Sequence, residues 1–95
     1  MGDNRYPLDP GGEPLEGVKT YDIDPKASYP ITFRDEPAGE GQVERDANGL
    51  LWVTPSFEIA FEQVKFHAFW RSQGDKGILS GINMVARESP TQPWI

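Results

Sequence analysis

His67 is the single histidine of this 95-residue chain and the side chain best suited to acid–base chemistry near neutral pH. A nucleophile–histidine–acid arrangement would need the hydroxyl of Ser56 or Ser80. Neither serine stands in a nucleophile elbow or in another spacing typical of such sites. A lone histidine between aromatic residues is more often structural than catalytic, so the sequence predicts a structural role for His67.

Metal and carboxylate chemistry find equally little support. The chain has no cysteine, which excludes disulfides and thiolate metal sites within it, and one histidine does not make a zinc site. Asp22-Ile23-Asp24 resembles the start of a calcium loop, but Ala27 stands where that loop needs glycine. Glu58 and Glu62, four residues apart, form the only well-placed carboxylate pair, and a solvated helix face explains them much better than a catalytic pair does. We therefore predict no enzyme activity and no catalytic, cofactor-binding or metal-binding residues.

The charge of the chain is unevenly distributed. Residues 1–46 carry 11 acids and 5 bases, whereas residues 47–95 carry four of each, for a net charge of −6. Without clustered lysine and arginine, we expect no direct binding of nucleic acid. The first residues lack the apolar region of a classical signal peptide, and no apolar run is long enough to span a membrane. We expect a cytoplasmic location, or one within a virion or other large complex.

The length allows one domain, which we divide into three segments. Residues 1–27 are rich in proline, glycine and acids, and they predict an extended arm with sparse apolar anchors. Residues 28–88 predict a compact, aromatic-rich domain. Residues 89–95 predict an extended C-terminal tail.

Within the compact domain, alternation and turn residues predict most of the elements. Tyr29, Ile31 and Phe33 alternate with other residues, as in a strand, and a loop should follow over residues 35–41. Asn48-Gly49 predicts a tight turn that joins residues 42–46 and 50–54 as antiparallel neighbours. A final strand is predicted over residues 78–86, with one face formed by Ile78, Ile82, Met84 and Ala86.

Residues 55–72 leave two interpretations open. Thr54 suits a helix N-cap and Pro55 the first helical position, and a helix here would be apolar on two sides. The fold class predicted on this basis is α+β: a β-hairpin, one central helix and a final strand. The alternative is an all-β fold in which residues 57–71 form a strand with a bulge near Glu62-Gln63, as the density of aromatic and β-branched residues would favour.

The surplus of aromatic residues indicates a binding role, because so small a domain cannot bury all of them in its own core. We expect a structural or interaction protein: a small accessory or decoration (cement-like) subunit that binds a larger protein assembly, or forms a homo-oligomer, through its arm and an aromatic surface. The alternative is a small acidic inhibitor or regulator of an enzyme or of a nucleic-acid-handling complex. The predicted partner-binding residues are Tyr6, Leu8, Leu15, Val18, Tyr21, Ile23, Ile59, Phe66, Trp70 and Trp94.

Overall fold

The chain folds into β-strands, and no helix occurs in the part of it that the structure describes. The structure is a computed structural model, and it describes residues 4–12, 14, 16–17, 19–73 and 76–95. The strands are β1 (Tyr6–Gly12), β2 (Tyr21–Asp22), β3 (Ser28–Phe33), β4 (Glu36–Arg45), β5 (Leu51–Pro55), β6 (Gln63–Gln73) and β7 (Lys76–Arg87).

Six of these strands close into a barrel. The sheet runs in the order β7-β3-β4-β5-β1-β6, and β6 pairs back to β7, while the short β2 adds to β7. The β1–β6 and β3–β7 ladders are parallel, and the other ladders are antiparallel. Closure satisfies backbone groups that an open sheet would leave exposed at its edges.

The barrel interior is filled by the side chains that alternate inward along each strand. Tyr29 and Ile31 of β3 are buried while Ser28 and Pro30 between them are exposed, which confirms the predicted inward face of this strand. The other buried apolar residues are Leu8, Val43, Leu51, Val53, Phe66, Ala68, Leu79, Ile82, Met84 and Ala86. Since every barrel strand contributes to this set, the core is assembled from the whole length of the chain.

The predicted α+β fold is wrong, and so is its central helix over residues 55–72. Pro55 is the last residue of β5, opposite Gly41, and does not begin a helix. In β6, Phe66 and Ala68 point inward and are almost completely buried. β6 pairs with β1 on one side and with β7 on the other, so the backbone hydrogen-bonding groups of β6 are satisfied by neighbouring strands. The apolar residues that resembled two stripes of a helix are explained by the period-two alternation of a strand.

The all-β alternative is closer to the structure, although its bulge lies elsewhere. Residues 56–62 belong to no strand, and β6 begins at Gln63. The register of the β6–β7 ladder shifts between Phe69 and Trp70, where Ser80 is the extra residue on β7. The shift also changes the inward face of β7, since Leu79 is buried in place of the expected Ile78.

Two hairpins on either side of β4 differ in how well the sequence predicted them. The hairpin between residues 42–46 and 50–54 is confirmed by the β4–β5 ladder. The loop predicted over residues 35–41 is wrong, because β4 already begins at Glu36. Arg34 and Asp35 form the turn with φ angles of 55° and 63°, which is the conformation of a two-residue hairpin turn without the glycine or asparagine that usually marks it.

The segment predicted as an arm contributes directly to the sheet. Tyr6–Gly12 is β1 and completes the barrel wall between β5 and β6. Farther along, the hydroxyl of buried Tyr29 donates a hydrogen bond to the carbonyl oxygen of Asp22 and accepts one from the amide of Asp24, both at 2.5 Å. These bonds tie the β2 region to the barrel.

Candidate functional site

The barrel wall is incompletely paired between β1 and β5. The two strands share only the pairs Tyr6–Val53 and Pro7–Trp52, and from Leu8 onward β1 pairs with β6. β5 meanwhile continues along β4 to Leu51. Because β1 and β5 diverge, an opening forms between them.

Apolar side chains line this opening, which we name the tryptophan slot. Its volume is about 320 Å³. Leu8 and Leu51 belong to the core, whereas Leu50 beside them is 60% exposed. Ile95, at 43%, is the other exposed large apolar residue among those described. The slot thus leads from solvent toward the barrel interior. Its lining residues are Pro7, Leu8, Asp9, Gly49, Leu50, Leu51, Trp52 and Trp70.

Asp46 holds the turn that presents Leu50. One carboxylate oxygen accepts hydrogen bonds from the amides of Asn48 (2.8 Å) and Leu50 (2.9 Å), and the other accepts one from Trp52 Nε1 (2.9 Å). The bond from Trp52, followed by those from the two backbone amides, lowers the pKa of Asp46 below its ordinary value. Gly49 has a φ of 83°, which closes the turn at little steric cost.

Two arginines stack on the tryptophans of the slot. The Arg5 guanidinium carbon lies 4.4 Å from the ring centroid of Trp52, and Arg5 also pairs with Glu44 at 3.1 Å. The guanidinium carbon of Arg45 lies 5.7 Å from the ring centroid of Trp70. Arg45 is exposed, and no carboxylate of the described residues pairs with it. It is therefore a cation beside an apolar opening, and none of the described residues compensates its charge at short range.

Trp70 forms the inner side of the slot. Its ring is half-buried, and a Cβ built on Gly77 would lie 3.3 Å from ring atom Cε3 and 2.6 Å from Ile23 Cδ1. The ring and Ile23 therefore pack directly on the backbone of Gly77. The Trp70 Nε1 atom is buried and has no hydrogen-bond acceptor among the residues described. A buried donor without an acceptor is destabilising.

The predicted partner-binding residues fall into different environments. Leu8 and Phe66 lie in the core, and the ring of half-buried Tyr6 lies 5.2 Å from that of Phe66. Ile23 and Ile59 are partly buried against the core, and Trp70 joins the slot. The backbone of Tyr21 lies in β2, its side chain is outside the described part, and Leu15 and Val18 lie outside the described residues.

Trp94 packs on the outside of its own barrel. Its ring centroid lies 4.5 Å from Lys65 Nζ and 4.2 Å from the guanidinium carbon of Arg87. The backbone of Ile95 donates to and accepts from that of Ala86, at 2.9 and 2.7 Å. The stacked cations and the two backbone bonds together hold the C-terminal segment against β7.

His67 stands on the outer face of β6, between Asp9 of β1 and Asn83 of β7 in the registers of the two ladders. The Thr32 hydroxyl donates a hydrogen bond to Asn83 Oδ1 at 3.2 Å. Within the described ranges, no three side chains among histidine, cysteine, aspartate and glutamate are grouped so as to hold a metal ion. Among the described residues, His67 and its two neighbours in the ladders therefore form no ion-binding cluster.

Sequence reasoning missed Leu50, Trp52 and Arg45, although one signal for them was present. The Asn48-Gly49 turn predicted the hairpin correctly, and an apolar residue directly after a turn of this type is placed near its tip. Trp70 also lines the slot, but it is distant in sequence from Leu50 and Trp52, and no local sequence pattern predicts that they meet.

Comparisons with known proteins add no relatives to this picture. No family model, curated protein or solved structure matches the chain. In the described part, no helix has the length and apolar character needed to cross a membrane.

Proposed function

We propose that this chain is a structural or interaction protein, a small accessory subunit of the decoration (cement-like) type, which binds a larger protein assembly through the tryptophan slot. The observation that carries the proposal is the 60% exposure of Leu50 beside half-buried Trp52 and Trp70. Apolar openings of this kind are typical of protein interfaces, and tryptophan is a frequent anchor in them.

The energetics of the site support this role. Full burial of a leucine contributes about 1.5–3 kcal/mol, so covering the 60% of Leu50 that is exposed would contribute up to about 0.9–1.8 kcal/mol. Asp46 already holds the Leu50 amide and the Trp52 indole in place. Little conformational entropy would therefore be lost at these groups on binding, which favours affinity.

The alternative role of an acidic inhibitor or regulator draws less support. Such a protein would present its carboxylates to a basic partner surface. Glu44 is instead paired with Arg5, and Asp46 is bonded within its own turn. These two acids serve the architecture around the slot.

The proposal is tested by exchanging Leu50 in the full-length protein. Tagged wild type and Leu50→Asp are expressed in the source cells and recovered under mild conditions for native mass spectrometry. We expect wild type in a large assembly at fixed stoichiometry and Leu50→Asp as free protein, because an aspartate cannot be buried in an apolar interface at neutral pH.

Ile95→Asp is the matched control, since Ile95 is the other exposed large apolar residue described and lies outside the slot. It should stay with the assembly. Urea unfolding should show that both variants are folded. Wild type recovered only as a free monomer, or Leu50→Asp retained as well as the control, would contradict the proposal.

A further inference from the structure

Two backbone edges face each other across the tryptophan slot. From Leu8 to Gly12, β1 pairs with β6 on one side, and no strand of the described residues pairs with its other side. β5 pairs with β4 as far as Leu51, and it pairs with β1 through Val53 and Trp52, so Leu51 is the one β5 residue on this side of the slot without a partner in β1. Unpaired edges are templates for an added strand. Pro10 has no amide hydrogen, so any added ladder here must be short.

The lining of the slot selects the side chain that such a strand would insert. The walls are Leu8, Leu51 and Trp52, with Trp70 on the inner side. An aliphatic side chain suits this lining, because a charged or amide group would lose its hydration without gaining a partner.

Charges at the margins define the rest of the occupant. Arg45 stacks over Trp70, and Asp9 lies in the wall that β1 forms. Both side chains are exposed, and neither has an ion-pair partner among the described residues. Complementary charges steer a partner and fix its register more than they raise its affinity. A fitting segment therefore carries an acid where it meets Arg45 and a base where it meets Asp9.

From these observations we infer that the tryptophan slot binds an extended segment of the partner protein by strand addition at the β1–β5 seam. A leucine or isoleucine of that segment enters the slot, and an acidic and a basic residue flank it. The inference rests on the proposed function, since it names the part of the assembly that the slot recognises.

The probes are three acetylated and amidated heptapeptides, together with the reversed sequence of the first, and all four are added to the full-length protein. One alternates leucine with threonine and carries an aspartate at one end and a lysine at the other; it is compared with its reversed sequence. The second replaces both charged residues with glutamine. The third is N-methylated at alternate backbone positions, which removes the amide hydrogens that a ladder needs.

Binding is followed through the indole N–H resonance of Trp70 and the exchange rates of the Asp9 and Leu51 amides. We expect the charged peptide, in one of its two directions, to shift the Trp70 resonance and to slow amide exchange at the seam. N-methylation should weaken binding at least about tenfold, because main-chain bonds supply much of the affinity in strand addition.

Charge reversal tests the register. Arg45→Glu should weaken the charged peptide about threefold to fivefold and leave the glutamine peptide unchanged, as a rim ion pair predicts. Arg34→Glu is the matched control, because Arg34 is an exposed arginine that precedes β4, whereas Arg45 ends it. This control should change neither affinity.

The outcomes separate the two proposals. If Leu50→Asp leaves the assembly while no peptide shifts Trp70, or the N-methylated peptide binds as well as its parent, strand addition is overturned and the accessory role stands. If the peptides bind with the expected selectivity while Leu50→Asp stays in the assembly, the proposed role of the slot in assembly is overturned and the strand-binding site stands.

Discussion

Replacing Tyr29 with phenylalanine removes the hydroxyl through which a buried side chain of the barrel is bonded to the β2 region. Tyr29 is 1% exposed, and its hydroxyl bridges the Asp22 carbonyl and the Asp24 amide at 2.5 Å each. The ring itself would stay in place, since phenylalanine retains its apolar contacts. The change therefore isolates the connection between the barrel and the β2 region.

The expected cost follows from the two lost hydrogen bonds. Each such bond contributes about 0.5–1.5 kcal/mol, and a buried partner left unsatisfied costs about 1–3 kcal/mol. Asp22 and Asp24 are exposed residues, so water can reach part of the freed backbone and the lower figures apply. We expect a loss of about 2 kcal/mol, which lowers the melting temperature by about 8–16 °C in a domain of this size.

The assay is urea unfolding followed by tryptophan fluorescence, with Tyr6→Phe as the matched control. Tyr6 is half-buried, and its hydroxyl has no hydrogen-bond partner among the described residues. The control should change the free energy of unfolding by less than about 0.5 kcal/mol. Equal destabilisation by the two substitutions would refute the assignment of the β2 anchor to the Tyr29 hydroxyl.

Alkaline pH provides a second readout of the same group. Burial, and then the charges of Asp24 and Asp22, raise the pKa of Tyr29 above its ordinary value of 10.0, although the hydrogen bond from the Asp24 backbone opposes this shift. The folded state therefore holds the phenol proton more tightly than the unfolded chain does. Its contribution to stability is complete below pH 10.0 and is lost as the pH rises through the raised pKa. Tyr29→Phe has no phenol to ionise, so its free energy of unfolding should fall less than that of wild type as the pH rises above 10.0.

Two further predictions concern the turns at the two ends of β4. Asp46→Asn should release Trp52, because asparagine has a single acceptor oxygen. If that oxygen keeps the bonds from the Asn48 and Leu50 amides, the side-chain nitrogen faces the Trp52 indole and cannot accept its hydrogen, which the Trp52 indole N–H resonance reports. In wild type the lowered pKa of Asp46 should place the midpoint of the pH-dependent change in that resonance below 3.8; a midpoint above 3.8 would contradict the assignment. Asp35→Gly should stabilise the protein by about 0.5 kcal/mol, since relief of a φ of 63° slightly exceeds the entropy cost of glycine, and a lower urea midpoint would disprove this.

The local features of the fold were predictable from the chain. The alternation at Tyr29 and Ile31 identified the inward face of β3, and Asn48-Gly49 identified the β4–β5 hairpin. Both signals act over a few residues, through the period of a strand and the backbone freedom of a turn. The Arg34-Asp35 turn escaped prediction because its residues are not the usual ones for positive φ angles.

Residues 55–72 show where local information ends. Their apolar pattern is compatible with a helix buried on two sides and with a strand, and the capping residues Thr54 and Pro55 favoured the helix. The outcome depends on β1 and β7, which flank β6 and pair with its backbone. β1 lies more than fifty residues away from β6 in the sequence. No window around residues 55–72 contains that partner.

The candidate site depends on the same distant pairings. By itself, the sequence determined that the chain has no thiol chemistry, a single histidine, an acidic first half and a tight turn at Asn48-Gly49. Only the tertiary structure decided that Pro7 and Leu8, the Leu50–Trp52 stretch and Trp70 line one opening. The reason is physical: β1 leaves β5 to pair with β6, and the slot exists only where those non-local ladders diverge.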